Sequence, residues 1–387
     1  MREYLLVLLT AAMTTYLLGG VFRRLALRVG AVARVRERDV HAVPIPYFGG
    51  LAMLGGYAVA TLLAAHLPFL GRHSVVTSDS VAILIGGAVI CAVGVVDDLI
   101  ELSAMAKMAG QVLAAGVVVL NGVRTYWIAL PNRIIALDPA TSILITVLFI
   151  LVCTNAINFV DGLDGLASGV VAIGAIAFFS YTYLLAVQQN LVLATTASLV
   201  TIAVSGIAIG FLPHNFHPAR MFMGDSGAML LGLLMAVSTI SLTGQFDSSA
   251  VHTAGRGIIA YYLPILLPLA ALALPLLDLV LAYGRRTMAG TWWFVADKKH
   301  LHHRLMQRGH SQVRAVMLMY LWAAVTAFGS TAIGLVGTWW VVAGVVLAVA
   351  VAVVLTFSGT KQVLVAPAPE APLETAGPGG TAGPGPG

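Results

Sequence analysis

Apolar runs of about twenty residues recur from one end of the chain to the other, the length at which a helix crosses the hydrocarbon core of a bilayer. They lie near 4–22, 48–70, 80–96, 106–122, 141–158, 165–187, 190–212, 227–243, 257–283, 314–334 and 338–357. A water-soluble domain carries about 25% charged residues; this chain carries 10%, with 59% hydrophobic. The fold class expected is all-α, a polytopic integral membrane protein with about eleven transmembrane helices. The run Tyr4 to Phe22 is too long for a signal-peptide core and lacks a small-residue cleavage site before the arginines that follow, so it reads as the first span. Cys91 and Cys153 both sit inside apolar runs and point neither to a disulfide framework nor to a metal. Residues 1–360 read as one transmembrane domain and 361–387 as a tail, disordered on its Pro/Gly/Ala composition from Pro367 onward.

Eleven spans sort the connecting segments into two sets. The segments after odd-numbered spans hold sixteen of the 21 Lys and Arg, among them Arg23, Arg24, Lys107, Arg220, Arg285, Lys298, Arg304 and Lys361. Arg2, Arg72, Arg124, Arg133 and Arg256 make up the other set. The positive-inside rule puts the richer set in the cytoplasm, with the N-terminus outside and the C-terminus inside. Nearly every unusual polar cluster falls on that same side, and all come from separate loops. One active site at the cytoplasmic membrane surface accounts for this; ordinary solvated loops do not.

Four stretches carry the chemistry. Asp97 and Asp98 end a span in "VGVVDDLIEL"; adjacent carboxylates repel, and a nearby cation relieves them. The pattern partly matches the Mg²⁺-binding DDxxD of prenyl-pyrophosphate enzymes, with Glu101 in the third place. In "NAINFVDGLDGLASG", Asn155, Asn158, Asp161 and Asp164 recur every three residues, which makes one polar stripe if the helix runs on. Oxygen ligands of this kind suit Mg²⁺ far better than zinc. In "HNFHPARMFMGDSGAMLLG", Asp225 precedes a span, where a helix N-terminus offers N–H groups to a phosphate, or where Asp or Ser simply caps the helix. Phe222 there is either a stacking platform or an interfacial aromatic. In "ADKKHLHHRLMQRGHSQ", His300, His302, His303 and Arg304 join Lys298 and Lys299 in a cationic patch suited to phosphates. The positive-inside rule explains part of that charge but not three histidines in four residues.

Carboxylates and amides for a Mg²⁺, cations for phosphates and glycines for close approach form the apparatus of phosphoryl transfer, where positioning and charge neutralisation do most of the catalysis. Two other classes compete. A transporter for a lipid-linked sugar would also hold intramembrane acids, but strung along a path rather than gathered on one face. A prenyltransferase using DDxxD would leave the His/Lys loop unused.

The chain resembles the polyprenyl-phosphate N-acetylhexosamine-1-phosphate transferases through "VVDDL", "TNAINFVDGLDGLA", "PARMFMGDSGAMLLG" and "KKHLHHRL", in family order between about Pro44 and Gln312. That resemblance implies a UDP-sugar donor, a polyprenyl phosphate acceptor, and Mg²⁺ as cofactor with Mn²⁺ as a candidate substitute. It implies Asp225 and Asn158 as metal ligands, Asp97 as base for the lipid phosphate, and Asp98 as the residue that orients the site. Asp161 and Asp164 would lie by nucleotide and metal. Lys107, Asn155, Phe222, His300, His302, His303 and Arg304 would bind substrate, with Phe222 stacking on uracil. The "HLHHRL" wording looks like the GlcNAc-1-phosphate branch, with UDP-GlcNAc as donor, and not the MurNAc-pentapeptide branch. The Ala-, Val-, Gly- and Arg-rich composition is similar to that of actinobacterial enzymes, which implies decaprenyl or undecaprenyl phosphate as carrier and a bacterial plasma membrane location. No nucleic-acid partner is expected, and a homodimer is a candidate assembly.

Overall fold

A computed structural model describes residues 1–33, 44–130, 133–188, 192–243, 269–288 and 301–358. In chain order its helices are α1 (Arg2–Val29), α2 (Gly49–Ala65), α3 (Ser74–Ile100), α4 (Ala104–Leu120), α5 (Pro139–Val160), α6 (Leu166–Gln188), α7 (Val192–Asn215), α8 (Gly224–Thr243), α9 (Ala273–Met288), α10 (Leu301–Gln307), α11 (Gln312–Val336) and α12 (Trp339–Phe357). Among the described residues, eight are long and apolar enough to cross a membrane: α1, α3, α5, α6, α7, α8, α11 and α12. The apolar α2 and α4 have 17 residues each. The protein is thus all-α and multi-pass. The expected span 257–283 lies partly outside the described residues, and the tail 361–387 wholly so. A short antiparallel hairpin, β1 (Trp127–Leu130) with β2 (Arg133–Ala136), fills a connection that carried no expected element.

Local chemistry sets the helix ends. Asp138 accepts the N–H groups of Ala140 and Thr141, and Pro139 starts α5 where a missing N–H costs nothing. Ser103 caps α4 through Ala106. α5 stops at Val160, so the stripe expected from Asn155 to Asp164 is broken: Asp161 is the C-cap residue and Asp164 sits in the turn beyond. Gly165, at φ 75°, takes the left-handed conformation that turns the chain into α6.

Lipid tails are as apolar as leucine, so interior helices are held by close packing more than by expulsion from water. α8 is almost wholly buried, surrounded by α2, α3, α5 and α7. Small residues permit this. A Cβ on Gly94 of α3 would lie 2.3 Å from Ser226 Cα, and one on Gly50 of α2 would lie 2.4 Å from the Gly227 nitrogen. Two helices therefore touch the first turn of α8 backbone to backbone. At the opposite extreme, α12 buries only Ala352 and packs along α11. The end of α3, the start of α4, the end of α5 and the start of α8 consequently meet at one end of the bundle.

Candidate active site

The start of α8 is capped from another helix. Asp98 of α3 accepts the Asp225 N–H on Oδ1 at 2.8 Å, and on Oδ2 the Ser226 hydroxyl at 2.9 Å and the Ser226 N–H at 3.4 Å. The sequence suggested Asp225 or Ser226 as the cap; instead the free N–H groups of the first turn are taken by Asp98, and the Asp225 side chain is released for other work. Its Oδ2 meets the Lys107 ammonium, and its Oδ1 accepts Asn158 Nδ2 at 2.8 Å. Lys107 also reaches Asp97 Oδ2 at 3.0 Å, while Asp97 Oδ1 accepts the Leu102 N–H at 2.7 Å. One cation thus holds two carboxylates from different helices. Each would repel the other without it.

Asp161 is half-buried, and among the described residues its carboxylate has no hydrogen-bond partner. Burial first, and then the negative charges of Asp98 and Asp164, push its carboxyl up to about 7. Lys107 does not serve as its counter-ion, because its ammonium goes to Asp97 and Asp225. Asp164 has its own partners: Oδ2 accepts His217 Nδ1 at 2.8 Å and the Ala219 N–H at 3.1 Å. The turn between these aspartates is held from both sides. Asn215, buried, accepts from Gly165 N at 3.1 Å and donates to the Met221 carbonyl, and the Tyr320 hydroxyl donates to the Gly165 carbonyl.

Asn155 Nδ2 donates to Gln111 Oε1 at 2.8 Å and to the Leu151 carbonyl at 2.8 Å, a contact that joins α5 to α4. Phe222 lies on a short backbone pairing. Its N–H donates to the Pro46 carbonyl at 3.0 Å, its carbonyl accepts from Gly49, and Tyr47 stands 6.3 Å away ring to ring. His300 lies outside the described residues. His302, His303 and Arg304 belong to α10, where Arg304 is exposed and the side chains of His302 and His303 lie outside the described set. Buried Asp278 of α9 accepts the Leu301 N–H at 3.0 Å and fixes the start of that helix.

The donors fit a hard divalent cation. Asp97, Asn158, Asp161 and Asp225 present oxygen, with no sulfur or imidazole among them. No three His, Cys, Asp or Glu among the described residues are drawn in to metal-ligand spacing; the Lys107 ammonium stands between Asp97 and Asp225 instead. Five carboxylates gather here and Lys107 is paired with two of them, so the charge balance favours a further cation.

Sequence reasoning missed Gln111, Asn215, His217, Asp278 and Tyr320. Gln111 and Asp278 carried a signal, each being a polar side chain inside an apolar run. Asn215 and His217 lay within a motif read mainly for its aspartate. Tyr320 carried none.

The sequence profile described as glycosyl transferase family 4 matches residues 80–243.

 
That match runs from α3 to α8 and takes in Asp97, Asp98, Lys107, Asn158, Asp161, Asp164 and Asp225. The chain is 46% identical over 334 residues to the decaprenyl-phosphate N-acetylglucosaminephosphotransferase of Mycobacterium tuberculosis, covering 85% of this chain and 82% of the relative. The enzyme of the same name from Mycolicibacterium smegmatis is 44% identical over 361 residues, 92% of this chain and 88% of the relative. The phospho-N-acetylmuramoyl-pentapeptide-transferase of Mycobacterium bovis is 31% identical over 290 residues, 65% of this chain and 79% of the relative.

Proposed function

We infer the reaction from the family to which this chain belongs, the polyprenyl-phosphate N-acetylhexosamine-1-phosphate transferases of glycosyl transferase family 4. The protein transfers GlcNAc-1-phosphate to a polyprenyl phosphate. We assign UDP-GlcNAc as the donor, decaprenyl or undecaprenyl phosphate as the acceptor, and Mg²⁺ as the cofactor. The observation that carries this assignment is the grip of Lys107 and Asn158 on Asp225, beside Asp97, at the meeting of four helix ends. The 46% identity to a GlcNAc-1-phosphate enzyme, against 31% to a MurNAc-pentapeptide enzyme, favours GlcNAc as the sugar. A transporter fits less well, because the acids gather at one end of the bundle instead of lining a path.

The chemistry balances without an external acid. An oxygen of the lipid phosphate attacks the β-phosphorus of UDP-GlcNAc; the bond from that phosphorus to the bridging oxygen breaks, and UMP leaves with the electron pair. A phosphate monoester has a second pKa of about 6, so the nucleophile is largely ionised already. Asp97 takes any residual proton and Lys107 attracts the incoming phosphate. Asp225, Asn158 and Asp161 would hold Mg²⁺, which when bound neutralises charge on the phosphates and the leaving group. Asp98 keeps Asp225 in place by capping α8. Phe222 offers a face for the uracil ring, and Arg304 with its α10 neighbours meets the pyrophosphate or sugar.

We place this site on the cytoplasmic side of a bacterial plasma membrane, from the asymmetry of Lys and Arg between connecting segments. Reporter fusions after Lys361 and within Arg72–Ser78 test the orientation; a cytoplasmic signal is expected from the first and an external one from the second. The reaction itself is tested with sugar-labelled UDP-GlcNAc, the purified chain, polyprenyl phosphate and Mg²⁺. Label should pass to the organic phase and UMP should appear in equal amount. No lipid-extractable label with any carrier length overturns the proposal.

A further inference from the structure

Three helices meet below the site in two layers, one turn apart. The upper layer is Lys107 of α4, Asn158 of α5 and Asp225 of α8. The lower layer is Gln111, Asn155 and Met229 of the same three helices. The steps are four, three and four residues, so each helix presents both of its members on one face. Gln111 is fully buried, and its amide is saturated. Oε1 accepts Asn155 Nδ2 at 2.8 Å; Nε2 lies 3.5 Å from Asn155 Oδ1 and 3.3 Å from Met229 Sδ. The second N–H of Asn155 goes to the Leu151 carbonyl.

An amide pair is a costly way to pack two helices inside a membrane, because each polar atom left without a partner carries a desolvation penalty. Two leucines would fill the same space without that risk. They would also let α4 slide against α5, since apolar contact has no direction. A reciprocal amide pair does not tolerate sliding: a shift of an ångström along the axis breaks it. Buried polar pairs that fix the register between helices are the best-attested use of such groups. Register matters here because Lys107 and Asn158 must reach opposite oxygens of one carboxylate.

We propose that Gln111 and Asn155 are positioning residues, whose buried amide pair sets the axial register of α4 against α5 so that Lys107 and Asn158 hold Asp225 in its metal-binding orientation. This rests on the metal assignment made for the proposed reaction. Neither side chain touches substrate; both act through the layer above.

The test uses the full chain in detergent with Mn²⁺ alone as probe, its binding followed by electron paramagnetic resonance without substrates, beside the Mg²⁺ requirement of sugar transfer. Gln111→Met keeps the shape and removes the amide. It should weaken Mn²⁺ binding and raise the Mg²⁺ requirement about tenfold per folded molecule, the scale on which outer-shell partners act on a metal. Pairing Gln111→Asn with Asn155→Gln exchanges the two amides; it should bind Mn²⁺ more tightly than Gln111→Asn alone. A role in stability alone predicts a lower unfolding temperature with the parent's affinity for both metals, and that result overturns the proposal. If Gln111→Met does not fold, Gln111→Asn takes its place in the same titration, and parental affinity there overturns it equally. A parent that binds Mn²⁺ but transfers no sugar refutes the reaction and leaves the register test intact.

Discussion

The Asp98 carboxylate stands over the first turn of α8, with Oδ1 2.8 Å from the backbone nitrogen of Asp225. A side chain of α3 thereby does what a local cap usually does. The N-terminal end of α8 is positive, and two carboxylates share it: Asp98 by direct hydrogen bonds, Asp225 by belonging to the first turn. Asp98 spends its oxygens on Asp225 N, Ser226 N and Ser226 Oγ, which suits it to orienting the site and not to moving protons.

Asp98→Asn keeps one acceptor oxygen and puts an NH₂ where the Ser226 hydroxyl and N–H now donate. It should destabilise the fold by about 1–3 kcal/mol, the cost of leaving buried donors unmet, and lower transfer with it. Thermal unfolding in detergent reads the first effect. Parental stability with lost turnover would show that Asp98 acts on substrate and not on α8.

Lys107→Met removes the cation between Asp97 and Asp225 while keeping much of the aliphatic stem. Transfer per folded molecule should fall at least ~100-fold, the scale of losing one preorganised electrostatic contact. The loss should persist at saturating UDP-GlcNAc. A variant with near-parental kcat would confine Lys107 to a structural role.

Asp161 has a folded-state pKa of about 7, above the unfolded carboxylate value of ~3.9. The folded protein therefore binds that proton more tightly, and the associated stability is complete below about pH 4 and lost as pH rises through about 7. Without divalent metal, the unfolding temperature should decline from about pH 4 to about pH 7 and level off above that. Asp161→Asn should flatten that decline and raise the unfolding temperature at the alkaline end, while cutting transfer at least ~100-fold, or ~2.7 kcal/mol of barrier. An unchanged pH profile would mean that the carboxylate is neither desolvated nor crowded by Asp98 and Asp164.

The apolar runs made the membrane class legible, because hydrocarbon imposes both length and composition on anything that crosses it. Asp97, Asp98, Asn158 and Asp225 were legible too, since charged or amide groups at the ends of such runs stand out, and Lys107 was reached through the family resemblance. Their connections were not. That Asp98 caps α8, or that Gln111 pairs with Asn155, depends on how helices far apart in sequence approach, and Gly50 and Gly94 decide that approach through tertiary contact alone. The three-residue recurrence from Asn155 to Asp164 misled because periodicity says nothing of where a helix stops. α5 ends at Val160, and the two aspartates beyond it take separate roles.

Asp164 and His217 supply the last prediction. The Asp164 Oδ2 holds His217 Nδ1 at 2.8 Å and the Ala219 N–H at 3.1 Å, so it ties the α5–α6 turn to the connection leading into α8. That connection carries Phe222 and ends at Asp225. Asp164→Asn should cut transfer at least ~100-fold without preventing membrane insertion, because Asn is nearly isosteric and easier to desolvate. His217→Ala removes the other half of the pair and should raise KM for UDP-GlcNAc more than it lowers kcat, since the imidazole is partly exposed beside the site. If the two residues act as one unit, the double variant loses little more than Asp164→Asn alone, as expected for side chains in direct contact. Measuring kcat and KM for the parent, both single variants and the double variant completes the cycle. Losses that multiply in the double variant would show that Asp164 and His217 work separately and that their contact is not what shapes the site.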